Sequence, residues 1–208
     1  MPINTWADFE GAFYFLRDSK HKYMGYVVDT ATMLQQICIT ASKEKAGLDE
    51  DSAMTRRSWG FLSSMLAPML LNMRDLPMHS CIIAQDRYST NENEDTDDDD
   101  IMPEMGPAVM PSIAKTLNGM VKVIGQTYIK DRELRVKGKL IRKPQFRMRI
   151  GPHPFYLTKV RAPKHYTIPA SINDPSFSKI LSIMLNKYTE VKKKIVSIKP
   201  KIKGANNG

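Results

Sequence analysis

Apolar residues along the first half of the chain follow helical spacing and strand spacing in turn. A set spaced three or four residues apart opens the chain and predicts an amphipathic helix capped by Asn4 or Thr5: Trp6, Phe9, Phe13 and Leu16. Continuous apolar runs predict two short buried strands, at 23–28 and 78–84, with helices between them at about 30–45 and 52–73. This order favours a parallel pair of strands joined by a helical crossover.

The second half of the pattern is a series of shorter elements. We expect a loop at 85–111, then a helix at 111–118, and strands at 119–129, 133–136, 146–150 and 155–160. A last helix is predicted at 174–188, with Asp174 as its cap and Pro175 at its first position. The chain is therefore predicted to form an α/β fold. Its sheet is expected to be mostly parallel and flanked by helices, with antiparallel strands toward one edge.

Charge divides the chain into unlike halves. The formal net charge is +9, but residues 1–104 carry 9 Lys and Arg against 18 Asp and Glu, and residues 105–208 carry 22 against 4. A half this basic favours a polyanionic partner, because cations release counterions from a phosphate backbone; a solubilising surface is the alternative. The DNA-binding candidates are basic residues of the segment 130–149 and of the C-terminal tail: Lys137, Lys139, Arg142, Lys143, Arg147, Arg149, Lys192, Lys193 and Lys194.

Several classes of protein do not fit this sequence. Cys38 and Cys81 lack metal-ligand or disulfide-framework spacing, and the four histidines are scattered, so zinc and hydrolase sites are not supported. No apolar run approaches the roughly 20 residues of a membrane span, and the first residues lack the basic and apolar blocks of a secretion signal. We expect a cytoplasmic protein with no membrane partner.

Polar side chains follow three of the predicted strands. Asp29 and Thr30 end the first strand, Gln85 ends the second, and Lys159 and Arg161 alternate onto one face of a later strand. In open α/β sheets, ligands bind at the carboxyl ends of strands. Taken singly, each feature has a structural alternative: a turn or helix cap, a satisfied amide at a strand end, or ion pairs at a sheet edge.

Together, in this order and spacing, the three strand ends resemble the C-terminal half of the RecA-like ATPase core. The likeness is to phage-encoded RecA-like/AAA-type ATPases of single-strand annealing and recombination. It spans roughly residues 5–163, with these segments: Tyr26-Val27-Val28-Asp29-Thr30, Trp59-Gly60, Ile83-Ala84-Gln85-Asp86-Arg87 and Lys159-Val160-Arg161-Ala162-Pro163.

The resemblance implies a role for each of these strand ends. Asp29 would hold Mg²⁺ through a water beside ATP, with Thr30 next to the nucleotide. Gln85 would pass the state of the nucleotide to a DNA-binding loop that follows it. Lys159 and Arg161 would reach the nucleotide of a neighbouring subunit. It also implies single-stranded DNA as a partner, a homo-oligomer, and the host cytoplasm as the location.

The sequence departs from that family in two respects. No G-x-x-x-x-G-K-[ST] phosphate-binding loop is present, so the core is expected to be incomplete at its N-terminus and completed by an upstream segment or a partner chain. The chain alone is then expected to be inactive as an ATPase. The loop at 86–106 carries nine acidic residues against Arg87 alone, which predicts a mobile segment that repels polyphosphate.

The predicted organisation is a RecA-like core at 1–170, a C-terminal helix at 171–191 and a basic tail at 192–208. Two other functions stay open at this point. One is a non-catalytic module that binds or anneals single-stranded DNA through its basic half. The other is a structural protein whose acidic loop engages a basic partner.

Overall fold

The computed structural model describes residues 2–89, 104–136 and 139–188. Five helices lie in these ranges: α1 (Trp6–Asp18), α2 (Ala31–Ala46), α3 (Arg56–Arg74), α4 (Pro111–Met120) and α5 (Phe177–Met184). Nine strands accompany them: β1 (Gly25–Asp29), β2 (His79–Ile83), β3 (Asp86–Ser89), β4 (Glu104–Pro107), β5 (Val123–Ile124), β6 (Gln126–Val136), β7 (Lys139–Arg149), β8 (Lys159–Val160) and β9 (Ser171–Asn173). No helix in these ranges is long and apolar enough to cross a membrane.

The first four helices build the main hydrophobic core. Leu62, Leu66 and Leu70 are almost fully buried along one stripe of α3, as the helical spacing of its apolar residues requires. Cys38 of α2 and Ile113 of α4 are fully buried in the same core. Burial raises the pKa of the Cys38 thiol to about 11, since the thiolate would lose its hydration there.

The predicted start of α1 is confirmed as a capping box. The Thr5 hydroxyl accepts a hydrogen bond from the Asp8 amide at 3.1 Å, and the Asp8 carboxylate accepts one from the Thr5 amide at 2.9 Å. Hydrogen bonds from the amide of Asn4, followed by those from Thr5, lower the pKa of Asp8. Two amides at the helix start are thereby satisfied by side chains.

β1 and β2 form the parallel pair that the sequence predicts. Their register runs from Gly25 opposite His79 to Asp29 opposite Ile83. The strands approach so closely at their start that a Cβ on Gly25 would lie 2.8 Å from the carbonyl oxygen of His79. Glycine is therefore the residue that lets the pair form at this position.

The two faces of this parallel pair have different environments. Tyr26, Val28 and Ile82 pack against the helical core. On the other face Val27 is 62 % exposed and Ile83 is also exposed. Within the part of the chain that the structure describes, one face of this pair is therefore uncovered. Parallel sheets are normally covered on both faces.

The expected loop at 85–111 begins and ends with strands instead. β3 and β4 pair antiparallel, from Asp86 opposite Pro107 to Ser89 opposite Glu104. The Met105 amide also donates to the Phe155 carbonyl at 2.8 Å, which ties this hairpin to the later part of the chain. The acidic run at 97–100, for which we predicted mobility, lies outside the described residues.

β6 and β7 form one long antiparallel ribbon, here called the ribbon. It pairs from Gln126 opposite Arg149 to Val136 opposite Lys139. The strands predicted at 133–136 and 146–150 are therefore wrong in their bounds, because they fall within β6 and at the end of β7. The strand predicted at 119–129 is also wrong, because it covers the end of α4, β5 and the start of β6. Pro144 interrupts the strand pattern of the sequence because it has no amide hydrogen to donate to a neighbouring strand. It is accommodated in β7 because β9 pairs with β7 only at 147–149, so β9 does not reach Pro144.

A second, smaller core anchors the base of the ribbon. Ile150, Ile172 and Ile183 are buried together, with Met148 of β7 packed against them. β5 pairs antiparallel with β8 beside this core. The strand predicted at 155–160 is reduced to Lys159–Val160, with a single bridge between Tyr156 and Met105 before it.

The last helix starts later than predicted. Asp174 has a φ of 48°, which a helix cap in the extended region cannot have, so it is not the cap. Ser176 caps α5 instead, and its side chain accepts from the Lys179 amide. The tail with Lys192, Lys193 and Lys194 lies outside the described residues.

The predicted mixed α/β class is confirmed, but a mostly parallel sheet is not what the described strands form. They make four small sheets, of which only β1–β2 is parallel. Strands of a parallel sheet are usually buried on both faces, whereas 11 of the 24 residues at 126–149 are charged. Such a sequence fits a solvated antiparallel ribbon.

Candidate functional site

Asp29 and Gln85 lie at the same end of the parallel pair. Asp29 is the last residue of β1, opposite Ile83, and Gln85 follows two residues after Ile83. Both residues are exposed. The structure therefore brings together two of the side chains that the sequence singles out, at the carboxyl edge where ligands of α/β sheets bind.

The hydroxyl groups next to Asp29 organise the backbone of this edge. Thr30 caps α2, and its side chain accepts from the Met33 amide at 3.1 Å. Thr32 accepts from the Gln85 amide at 3.2 Å, which joins the first turn of α2 to the end of β2. The peptide bond between Asp29 and Thr30 is cis. Thr30, a nucleotide-binding candidate, thus has a structural contact as the α2 cap.

Gln85 is held by its backbone on both sides. Its amide donates to Thr32, and its carbonyl accepts from the Ala108 amide at 2.7 Å. The chain then enters β3 directly at Asp86. A change at Gln85 would therefore act on the hairpin of β3 and β4 through a short, fixed connection.

The edge fits part of a magnesium nucleotide site. Magnesium in phosphoryl-transfer sites keeps several waters and takes one or two carboxylates, and Asp29 offers such a carboxylate at an open strand end. Among the described residues no three His, Cys, Asp or Glu side chains come together as a metal site. Asp29 could hold Mg²⁺ through water, and bound Mg²⁺ would neutralise phosphate charge, but the sequence has no glycine-rich cradle for the phosphates.

An open groove of about 750 Å³ runs along β1 and reaches Asp29 and Thr30. Its walls come from α1, β1 and α2, and most of their side chains are apolar, among them Phe15, Leu16 and Met33. A wall of this chemistry favours contact with an apolar protein segment over contact with phosphate.

Lys159 and Arg161 lie together, as the strand period predicts, and both contact the C-terminal end of α4. The Lys159 ammonium donates to the Asn118 carbonyl, and the Arg161 guanidinium donates to the Gly119 carbonyl at 2.7 Å. Burial, followed by the charge of Arg161, lowers the pKa of Lys159. Carbonyls at a helix C-terminus carry partial negative charge, so the two cations stabilise α4. Their role at a neighbouring subunit's nucleotide stays a prediction.

The ribbon separates its charges by face. Residues opposite each other on antiparallel strands share a face, and alternate residues along a strand point to opposite faces. Five cations fall on one side, called the cationic face: Lys130, Arg132, Lys143, Arg147 and Arg149. Within 126–133 and 140–149, both acidic residues, Asp131 and Glu133, fall on the opposite face. There Glu133 pairs with Arg142 at 3.3 Å.

The predicted DNA-binding residues are therefore divided by the structure. Lys143, Arg147 and Arg149 share the cationic face, whereas Arg142 lies on the opposite face. Lys137 lies outside the described residues, as does the side chain of Lys139. Lys130 and Arg132 complete the face; they lie in the predicted segment 130–149 but are not among the residues named there. The alternation of Tyr128, Lys130 and Arg132 is the signal that could have found them.

The base of the cationic face is built on aromatic rings. The Arg149 guanidinium lies 3.8 Å from the centre of the Tyr128 ring and 4.4 Å from that of Tyr156. Burial tends to raise the pKa of Tyr128, but hydrogen bonds from Arg147 and Ser171 and the charge of Arg149 together lower it. Two arginines are thus held in place by stacking and hydrogen bonds.

Gln126 joins the strand end to the base of the ribbon. Its side-chain amide donates to the Asp86 carboxylate at 3.4 Å, and its side-chain oxygen accepts from Arg149. Asp86 directly follows Gln85. A short series of side-chain contacts therefore runs from the end of the parallel pair to the cationic face.

A comparison with protein families gives the class of the chain. The fold is mixed α/β, with Asp29 and Gln85 at one end of its parallel pair. The model of the AAA domain family matches residues 1–162. The chain belongs to the AAA domain family, which groups P-loop-type, nucleotide-binding ATPases. No curated protein and no solved structure matches the chain.

Proposed function

We propose that the chain is the C-terminal half of a RecA-like ATPase core that acts in phage DNA recombination and single-strand annealing. An upstream segment or a partner chain supplies the phosphate-binding loop. The observation that carries the proposal is the position of Asp29 at the end of β1 and of Gln85 just after the end of β2, at one edge of the parallel pair. The family match over residues 1–162 supports the same class.

The uncovered face of the parallel pair supports the need for a further segment. Val27 and Ile83 are exposed on that face, and the apolar groove along β1 opens beside it. A segment that carries the phosphate-binding loop would cover apolar area here and bring glycine amides and a lysine to the phosphates next to Asp29. Asp29 would then hold Mg²⁺ through water, and Gln85 would lie where it could donate a hydrogen bond to the terminal phosphate.

The test supplies the missing loop. The chain is mixed with, or fused to, a segment that contains G-x-x-x-x-G-K-[ST], and ATP hydrolysis is measured for each part and for the combination. We expect hydrolysis only in the combination. Asp29→Asn should lower kcat by about 10²-fold or more, the scale of losing one group that stabilises developing charge. Asp49→Asn, an exposed carboxylate in the turn after α2, is the matched control and should leave kcat unchanged.

Docking is measured separately from catalysis. Alkylation of Cys81, which is exposed on β2 opposite Val27, should slow when the added segment covers the sheet face. Hydrolysis by the chain alone, or full activity of Asp29→Asn in the combination, would contradict the proposal.

A non-catalytic module that binds or anneals single-stranded DNA is the second candidate function. The cationic face favours it, because that face is formed entirely by residues of this chain. This function predicts strand annealing that does not change when ATP and Mg²⁺ are added. Annealing that requires ATP would exclude it.

A further inference from the structure

We propose that the cationic face of the ribbon binds the phosphate backbone of a nucleic acid, and that the opposite face does not. The inference shares the DNA partner with the proposed function but rests on nothing at the nucleotide edge. The contact is confined to one face of the ribbon and to its five cations.

The spacing of the face suits a linear array of phosphates. Alternate residues of a strand are about 6.8 Å apart. Lys130 and Arg132 are one such step apart on β6. On β7, Lys143, Arg147 and Arg149 follow the same step, with Gln145 in place of a cation between the first two. Arg132 lies directly opposite Lys143, so the two strands present neighbouring charges. Arg147 donates to Gln145 at 2.9 Å, and Arg149 is stacked on Tyr128, so two of the cations are positioned before any ligand arrives.

The opposite face of the ribbon excludes a polyanion. Asp131 and Glu133 lie there, and the Arg142 charge is compensated by Glu133 at 3.3 Å. Both partners of this ion pair are exposed, so the pair itself contributes little stability. Within 126–133 and 140–149, a phosphate approaching this side would meet two carboxylates and one paired cation.

A lipid surface fits the ribbon less well than a nucleic acid. Among the side chains that the structure describes on the ribbon, the most exposed apolar ones are Ile129, at 62 %, and Phe146, at 59 %, and they lie opposite each other on the face away from the cations. Binding to an anionic membrane combines buried apolar residues with cations on the same contact surface. On the ribbon, the two most exposed of the described apolar side chains lie away from the cations, and Ile141, at 39 %, is the one large apolar residue that the structure describes as exposed on the cationic face.

The experiment uses the full chain without nucleotide. Anisotropy of a labelled 30-mer of thymidylate and of a labelled 30-base-pair duplex is measured from 50 to 300 mM salt. Lys143→Ala and Arg132→Ala should each reduce the slope of log affinity against log salt, by about 0.7 on the single strand or about 0.9 on the duplex. The nucleic acid that is bound more tightly identifies the strandedness.

The control for these variants is Arg142→Ala. It removes the same charge from the residue next to Lys143, but from the opposite face, and should leave the slope unchanged. The tail is present in every variant, so its contribution cancels in the comparison. Lys130, Arg132 and Lys143 are exposed, and unchanged thermal unfolding of each variant checks that the fold is intact.

Three results would overturn the inference. One is an equal loss of slope for Arg142→Ala and Lys143→Ala, which would mean diffuse attraction to the whole basic half. Another is the absence of binding to either nucleic acid at 50 mM salt. The third is equally strong binding to vesicles of anionic lipid, with the same dependence on Lys143.

Discussion

At the scale of single residues, the two cysteines have opposite environments. Cys38 is fully buried in the helical core, where its thiol donates to the Leu62 carbonyl at 3.9 Å. Cys81 is exposed on β2. Both are free thiols, so differences in their reactivity report only on access and on pKa.

We expect an alkylating reagent to modify Cys81 in the native protein and Cys38 only after unfolding. Equal alkylation rates for both cysteines in the native state would contradict this expectation.

The folded pKa of Cys38, about 11, is above the value of 9.0 for an accessible thiol. Its contribution to stability is therefore fully present below pH 9 and is lost as the pH rises toward 11, because the unfolded thiol ionises first. Chemical unfolding of wild type and Cys38→Ala across this window measures the difference in slope. The same pH dependence of the free energy of unfolding in wild type and Cys38→Ala would contradict a raised pKa of Cys38.

At the scale of elements, helix ends explain which predictions succeed. Thr5 and Thr30 cap α1 and α2 as local sequence chemistry requires, so these starts are predictable. Asp174 has equally good capping chemistry, but its backbone is left-handed and Ser176 takes the role. The Lys179 ammonium donates to the carbonyls of Asn173 and Asp174, a contact between neighbouring turns that a residue pattern does not reveal.

The contacts of Lys159 and Arg161 predict a loss of stability when both are replaced. Lys159→Met with Arg161→Met should lower the free energy of unfolding by about 1 kcal/mol, since cations at a helix C-terminus contribute roughly 0.3–1 kcal/mol each. Urea unfolding followed by circular dichroism measures this. Lys164→Met, an exposed cation nearby in sequence, is the control. Unchanged stability of the double variant would mean that the two cations do not stabilise α4, and would favour their predicted role at a neighbouring subunit.

At the scale of the whole molecule, local patterns predict the helices and the first two strands but not the long ribbon. Apolar runs at 23–28 and 78–84 identify β1 and β2 because these strands have a buried face. Residues 126–149 give no such run, since the side chains at 129–133 and 140–144 are exposed on both faces of the ribbon. Pro144 and the charged residues also resemble loop chemistry. Arg132 lies opposite Lys143 because of the register of the whole ribbon, which a local sequence pattern does not determine.

The candidate site was predictable to the same extent. Asp29 and Gln85 could be placed together because strand ends of a parallel pair meet at one edge. The contacts of Lys159 and Arg161 with α4 depend on packing between distant segments, and the sequence carries no local signal for them.

The bridge made by Gln126 between Asp86 and Arg149 has a thermodynamic consequence. If nucleotide bound near Gln85 changes the affinity of the cationic face for DNA by some factor, DNA must change the affinity for nucleotide by the same factor. Gln126→Leu keeps much of the side-chain volume but removes both hydrogen bonds. In the combination with a phosphate-binding segment, it should bring this reciprocal factor toward one. Titrating each ligand in the presence and absence of the other gives the factor twice, and an unchanged factor would mean that the two sites communicate by another route.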